Sequence, residues 1–158
     1  MRKGFTLLEL LAVVGILSFI LIASTQLLGS TLAGSGKTNS LQIVKQNGQF
    51  AISTMERTVR RAKTLTACSD GTLIVIVPET TGDVTYAFAL SGNRLQRNDI
   101  NLTDTDIQVT DFSCSPTPAT AGNPAVVDIS LTIEKSGLPV ENSVVSTTFN
   151  TSVSLRTY

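Results

Sequence analysis

A single carboxylate interrupts an otherwise apolar stretch near the start of the chain. Residues 5–28, FTLLELLAVVGILSFILIASTQLL, contain one ionisable side chain, that of Glu9. A carboxylate inside hydrocarbon costs about 2.5–3.5 kcal/mol, even on a scale derived from membrane insertion. If this stretch lies in a membrane, a group of opposite charge must compensate for Glu9. The chemistry that the position indicates is an ion pair.

Two cysteines, Cys68 and Cys114, form a second pair of groups with chemistry of their own, and both follow the apolar stretch. They are candidates for one disulfide if this side of the chain faces an oxidising compartment. The alternative is two buried free thiols. Their loop-like surroundings favour the disulfide, which would stabilise the fold by about 4 kcal/mol in the chain-entropy model.

Acidic residues are concentrated in one Asn- and Thr-rich stretch, where Asp104 and Asp106 could offer oxygens to Ca²⁺. A Gly-centred loop and a glutamate at its twelfth position are missing, so we expect solvated turns rather than calcium. The chain has no His and no Gly-rich phosphate loop. No nucleophile therefore has a plausible base, and we expect neither an enzyme nor a bound cofactor.

Charge is balanced over the whole chain, with 12 basic and 12 acidic side chains. A local group of cations follows residue 56: Arg57, Arg60, Arg61 and Lys63. Four cations could contact only a few phosphates, and no aromatic residues lie between them for bases to stack on. A solvated helix face is therefore favoured over a DNA-binding patch. We expect no direct binding of nucleic acid.

The apolar stretch is long enough to cross a membrane. Its 24 residues would span about 36 Å as a helix, against about 30 Å of hydrocarbon. Arg2 and Lys3 precede it and would hold the N-terminus in the cytoplasm. A plain single-span anchor fits this pattern. So does a secretory signal peptide cut around residues 31–33, although the acid and the length are unusual for one.

After the apolar stretch the sequence predicts a linker, a second helix and then strands. Residues 29–38, GSTLAGSGKT, hold three glycines and predict a flexible break. A helical period returns over 39–66, on a face that Gly48 interrupts and where it would let a β-domain approach closely. That face comprises Leu41, Val44, Ile52, Met55, Val59, Ala62 and Leu65.

From residue 72 the apolar period changes to two. The sequence predicts strands over 72–77, 84–90, 94–97, 107–112, 127–133 and 145–155, with a turn at 91–93 and loops over 113–124 and 134–142. The predicted fold class is α+β, in which a long N-terminal helix packs on a C-terminal antiparallel β-sheet domain.

The N-terminal motif resembles a known targeting signal. Arg2-Lys3-Gly4 followed by Phe-Thr-Leu-Leu-Glu is similar to the type III signal of the type IV pilin and pseudopilin superfamily. The resemblance implies that prepilin peptidase cuts between Gly4 and Phe5 and methylates the amine of Phe5. It also implies a role for Glu9 in assembly, because its carboxylate would pair with the Phe5 amine of a neighbouring subunit.

The resemblance also divides the chain and implies its location. It gives a leader over 1–4, a transmembrane and assembly helix over 5–28, a linker and amphipathic helix over 29–66, and a β-rich head over 67–158. The protein would lie in the cytoplasmic membrane, in contact with lipid and with its N-terminus in the cytoplasm. It would then enter an extracytoplasmic filament. The implied partners are prepilin peptidase, other pilin or pseudopilin subunits, and the inner-membrane assembly platform.

Two further stretches, YAFALSGNRLQRN and TTFNTSVSLRTY, look like the J- and W-type minor subunits of that superfamily. Major pilins often carry a proline late in the first helix, and residues 23–27 have none. The sequence therefore predicts a minor subunit of a type IV pilus, a type II secretion pseudopilus or a DNA-uptake filament. The alternative is a membrane-anchored extracytoplasmic binding module that does not polymerise.

Overall fold

The computed structural model describes residues 6–120, 124–135 and 144–155. One helix, α1 (Leu7–Arg61), is followed by eight strands: β1 (Thr64–Ser69), β2 (Thr72–Glu79), β3 (Gly82–Ser91), β4 (Arg94–Arg97), β5 (Ile100–Asn101), β6 (Gln108–Thr117), β7 (Val126–Lys135) and β8 (Val145–Ser154). The chain divides into two compact units, residues 1–38 and 39–158. From here on, the head means this second unit, which includes the C-terminal part of α1 as well as the predicted β-rich region over 67–158. The predicted α+β class is confirmed.

In the first unit, the helix exposes its apolar side chains on all sides. From Leu7 to Leu28 its large apolar residues are 51–82% exposed. By length and composition, α1 is the one described helix that could cross a membrane, and its most apolar window has a mean hydropathy of 2.5. The hydroxyls of Ser18 and Ser24 donate to the carbonyls of Val14 and Ile20, each at 2.8 Å. The hydroxyls of these two serines are thus satisfied by the helix itself.

The predicted break at residues 29–38 is wrong, because α1 continues through this stretch. Glycine costs about 1 kcal/mol per residue in a helix, but a helix that is already nucleated on both sides propagates cheaply across such positions. The hydroxyls of Thr31 and Thr38 donate to the carbonyls of Leu27 and Gly34, at 2.9 and 3.0 Å. They bond to the helix rather than competing with it.

The C-terminal end of α1 also differs from the prediction, at Arg61 instead of residue 66. Directly after it, the backbone amide of Lys63 donates to the carbonyl of Ile76 at 2.8 Å. Thr64–Ser69 then pairs with β2 as a strand, which the sequence analysis missed. Pairing with a neighbouring strand outweighed the helical period here, and the β-branched residues Thr64 and Thr66 favour that outcome.

Within the head, the C-terminal part of α1 packs its predicted apolar face against the strands. Val44, Met55 and Val59 are fully buried, and they share one hydrophobic core with the strands. Gly48 allows the close approach that the sequence analysis expected. A Cβ atom at this position would overlap the ring of Phe149 in β8, with Cδ2 of that ring 2.7 Å away.

The strands form two antiparallel sheets rather than one. The first has the order β1-β2-β3-β4-β5, and the second has the order β6-β7-β8. The predicted hairpin between β3 and β4 is confirmed, and its turn places Gly92 and Asn93 at φ of 55° and 61°. Two successive residues with positive φ form the type I′ geometry that suits a tight hairpin.

The second sheet corrects the predicted loop at 113–124. Residues 113–117 belong to β6, where Cys114 lies opposite Ile129 and Pro116 lies opposite Val127. β6 lies at an edge of its sheet, where a proline is tolerated because its missing N–H can face away from the ladder. Glu134 and Lys135, predicted to begin a loop, extend β7. The rest of that predicted loop, up to 142, lies outside the described residues.

Candidate functional site

The first turn of α1 contains the carboxylate that the sequence analysis singled out. Thr6 caps the helix, because its Oγ1 and its carbonyl oxygen accept hydrogen bonds from the backbone N–H of Glu9, at 3.4 and 3.1 Å. Glu9 is the third residue of the helix and is exposed. Thr-x-x-Glu at a helix start is the capping-box pattern, a local signal that the sequence analysis missed.

Capping and the helix dipole explain only part of the position of Glu9. A carboxylate in the first turn gains about 0.3–1 kcal/mol from the dipole at an exposed site. Burial of the same charge in hydrocarbon costs about 2.5–3.5 kcal/mol. A deficit of about 2 kcal/mol remains, so a cationic partner is still required wherever this turn lies in a membrane.

The scissile bond inferred from the sequence, between Gly4 and Phe5, lies outside the described residues. The helix that follows begins at Leu7, only two residues after Phe5. Gly15, a small residue within the helix, has open space around the position of its missing Cβ atom. The structure therefore presents an exposed apolar helix whose first turn holds one acid.

Comparison with known proteins bears on this segment. Residues 1–25 match the family described as the prokaryotic N-terminal methylation motif. The chain carries a prepilin-type signal. No curated protein and no solved structure matches the chain. The family match supports a type IV pilin-like protein that is processed by prepilin peptidase, and the exposed apolar helix followed by a β-rich head agrees with that class.

The head contains the disulfide predicted from the sequence. Cys68 in β1 is bonded to Cys114 in β6, with their Cα atoms 5.3 Å apart. The bond therefore joins the edge strands of the two sheets. Two backbone hydrogen bonds also link the two sheet regions, from the N–H of Gly71 to the carbonyl of Phe112 and from the N–H of Val109 to the carbonyl of Asn93.

The acidic stretch considered for calcium has other partners. The carboxylate of Asp104 accepts a hydrogen bond from the backbone N–H of Thr105 at 3.2 Å, and Asp106 lies 3.7 Å from the ammonium of Lys135. Within the residues that the structure describes, no three His, Cys, Asp or Glu side chains are grouped as metal ligands. The arrangement is that of an N–H-capped turn and a surface ion pair.

Three of the four cations considered as a DNA-binding patch are engaged in ion pairs. Arg60 contacts Glu56 at 2.6 Å, Arg61 contacts Glu79 at 3.7 Å, and Lys63 contacts Asp83 at 3.5 Å. Each pair is substantially exposed, so it adds little to stability. The pairing does lower the positive potential that a phosphate backbone would meet.

Proposed function

We propose that this protein is a minor type IV pilin-like subunit. It enters the cytoplasmic membrane, is cut between Gly4 and Phe5, is methylated on the Phe5 amine, and is then built into a filament by the assembly platform. The observation that carries the proposal is the match of residues 1–25 to the N-terminal methylation motif. The uniformly exposed apolar helix that follows supports it, because such a surface needs lipid or neighbouring helices as a cover.

In this proposal Glu9 marks the register of assembly. Cleavage would create a cationic amine on Phe5, four residues before Glu9 and about 6 Å from it along a helix axis. Two helices staggered by one turn would bring the amine of one subunit to the carboxylate of the next. The pair would offset the cost of about 2 kcal/mol that remains for Glu9 in hydrocarbon after capping and the helix dipole. Loss of either partner would leave the other charge unpaired there.

The minor-subunit assignment rests on two features of the chain. Residues 23–27 lack the helix-breaking proline that major pilins often carry, and α1 runs through this stretch without interruption. The Tyr-containing β3–β4 hairpin is the second feature, because it looks like that of the J- and W-type subunits. A disulfide in the head fits an extracytoplasmic location, where thiols are oxidised.

The mature N-terminus tests the proposal directly. The intact mass of the chain, purified from bacterial membranes, should correspond to N-methyl-Phe5. An unprocessed Met1 would instead indicate a plain anchor, and a start near Gly34 would indicate a secreted protein.

The variant Gly4→Leu sharpens this experiment. A bulky side chain at the scissile bond should block cleavage, so the variant should keep its Met1 terminus. Gly15→Leu is the matched control, since it makes the same change within the apolar helix at a position with open space. Normal processing of both variants would refute the proposed cleavage between Gly4 and Phe5.

A further inference from the structure

A cleft of about 350 Å³ lies in the head, between the C-terminal part of α1 and the first sheet. Three arginines line it: Arg57 and Arg61 from the helix and Arg97 from β4. Its volume is in the range of small-molecule sites. All the residues that line the cleft belong to the head, and the proposed function makes no use of it.

The arginines of the cleft outnumber the carboxylates available to them. Glu56 is one residue from Arg57 in sequence, but its Oε1 lies 2.6 Å from Arg60, outside the cleft. Glu79 lies 3.7 Å from Arg61 and also accepts a hydrogen bond from the hydroxyl of Tyr86 at 2.8 Å. Within the described part of the chain, neither Arg57 nor Arg97 is in ion-pair contact with a carboxylate.

Tyr86 lies between Arg97 and Glu79 on the sheet side of the cleft. The guanidinium of Arg97 lies over its ring, 5.6 Å from the ring centre, and its hydroxyl is held by Glu79. That hydrogen bond, followed by burial and the charge of Glu79, raises the pKa of Tyr86 above its ordinary value of 10.0. The hydrogen bond to Glu79 holds the phenol in place, so that its ring is a platform for Arg97.

Apolar groups complete the lining of the cleft. Leu102 is half-buried and contributes apolar surface to the lining, whereas Val77 is 1% exposed and offers almost none. Phe50 also lines the cleft, and 57% of this residue is exposed to solvent. A ligand here would meet guanidinium groups and apolar surface together.

We propose that this cleft binds an oxyanion, carboxylate or phosphate, carried on a small apolar or aromatic body. Arg57 and Arg97 would hold the oxygens, because guanidinium groups match planar and tetrahedral oxyanions with paired N–H donors. The apolar body would lie against Leu102 and Phe50. Such a group could come from a free small molecule or from an acidic side chain next to an aromatic residue in a partner protein.

The test is calorimetric titration of the full chain in non-ionic detergent at constant ionic strength. Phenyl phosphate is the probe, and inorganic phosphate is its counterpart without the aromatic body. We expect saturable binding at one site, with phenyl phosphate about tenfold tighter, because burial of a ring adds apolar contact. An absence of saturation up to about 10 mM would overturn the proposal, and equal affinities would overturn its apolar component.

A matched pair of variants separates the cleft from general charge. Arg57→Gln should weaken binding of phenyl phosphate about tenfold, which is typical for a lost hydrogen bond to a charged group. Arg60→Gln removes the same charge three residues away, outside the cleft, and should change the affinity less than about twofold. Equal losses in the two variants would mean attraction by net charge alone, and would refute the site.

A final titration distinguishes the two sources of the ligand. The peptide acetyl-Asp-Phe-amide presents a carboxylate beside an aromatic ring, as a partner protein would. Tighter binding of this peptide than of phenyl phosphate would assign the cleft to a protein partner, and the reverse order would assign it to a small molecule. Either order supports the oxyanion site, provided that Arg57→Gln weakens the tighter of the two ligands.

Discussion

Replacement of Gly48 by alanine should loosen the contact between the head and its own helix. The added Cβ atom would overlap the ring of Phe149, which lies on β8 at the edge of the second sheet. Backbone atoms of the helix cannot move far without disturbing Val44 and Met55, both fully buried. The ring of Phe149, which is only half-buried, is therefore the group that must give way.

The expected size of the effect follows from two opposing terms. Alanine is favoured over glycine inside a helix by about 1 kcal/mol. Overpacking of a core costs about 1–3 kcal/mol, and the half-buried ring makes about 2 kcal/mol a reasonable central value. The net loss in the free energy of unfolding should be about 1 kcal/mol, or about 4 °C in Tm for a unit of this size.

Thermal unfolding of the full chain in detergent, followed by tyrosine fluorescence, measures this loss. The chain has no Trp, and both of its tyrosines follow residue 38, so the signal reports on the head. Gly34→Ala is the control, because a Cβ atom there meets nothing within 4 Å. That substitution should not lower the Tm of the head, because only the favourable change in helix propensity remains.

A second substitution, Phe149→Ala, tests whether the ring causes the loss of stability. With Phe149→Ala in place, the ring is gone and only helix propensity remains, so Gly48→Ala should now stabilise the head by about 1 kcal/mol. The effect of one substitution would thus change sign, with a coupling of about 2 kcal/mol. If Gly48→Ala destabilises the head equally in both backgrounds, the ring is not what requires glycine.

Two further predictions concern the carboxylate of Glu9 and the disulfide between Cys68 and Cys114. Glu9→Val should leave membrane insertion and cleavage intact but lower the ratio of sheared filament to membrane-bound mature protein; an unchanged ratio would show that assembly does not depend on this carboxylate. Replacement of Cys68 and Cys114 by serine opens a loop with a sequence separation of 46 and should lower the free energy of unfolding in urea by about 4 kcal/mol. Addition of reductant to the unmodified chain should shift its urea midpoint toward that of the double variant. A stability that is the same with and without the bond would contradict the entropic argument.

Features of the sequence that depend on near neighbours along the chain were predictable. The helical face predicted over 39–66 and the alternation of β3, β7 and β8 follow from apolar periods of 3.6 and two. The structure packs most of those residues into or against the core, although the helix itself ends at Arg61. Gly48 could be recognised because it interrupts such a face. The N-terminal signal was recognisable because all of its groups lie within nine residues.

Features that depend on distant partners were not predictable in this way. Thr64–Ser69 continues a helical period and becomes a strand only because β2 offers it an edge. Residues 113–117 contain a proline and resemble a loop until β7 is in place beside them. The cleft likewise joins Arg57 to Arg97, which is 40 positions later in the sequence. No local pattern could indicate that the two line one cleft.

The start of α1 determines how close the new N-terminal amine would lie to the helix along the chain. Thr6 caps α1, so after removal of a four-residue leader only Phe5 and Thr6 would precede the first helical residue. One residue, Thr6, would then separate the new amine on Phe5 from the first helical residue, Leu7. The amine would add positive charge to the positive end of the helix dipole, a local repulsion that a carboxylate from outside relieves. The cleaved chain would thus carry an unpaired positive charge directly before α1. The carboxylate of a neighbouring subunit would pair with that charge at one axial stagger of the two helices.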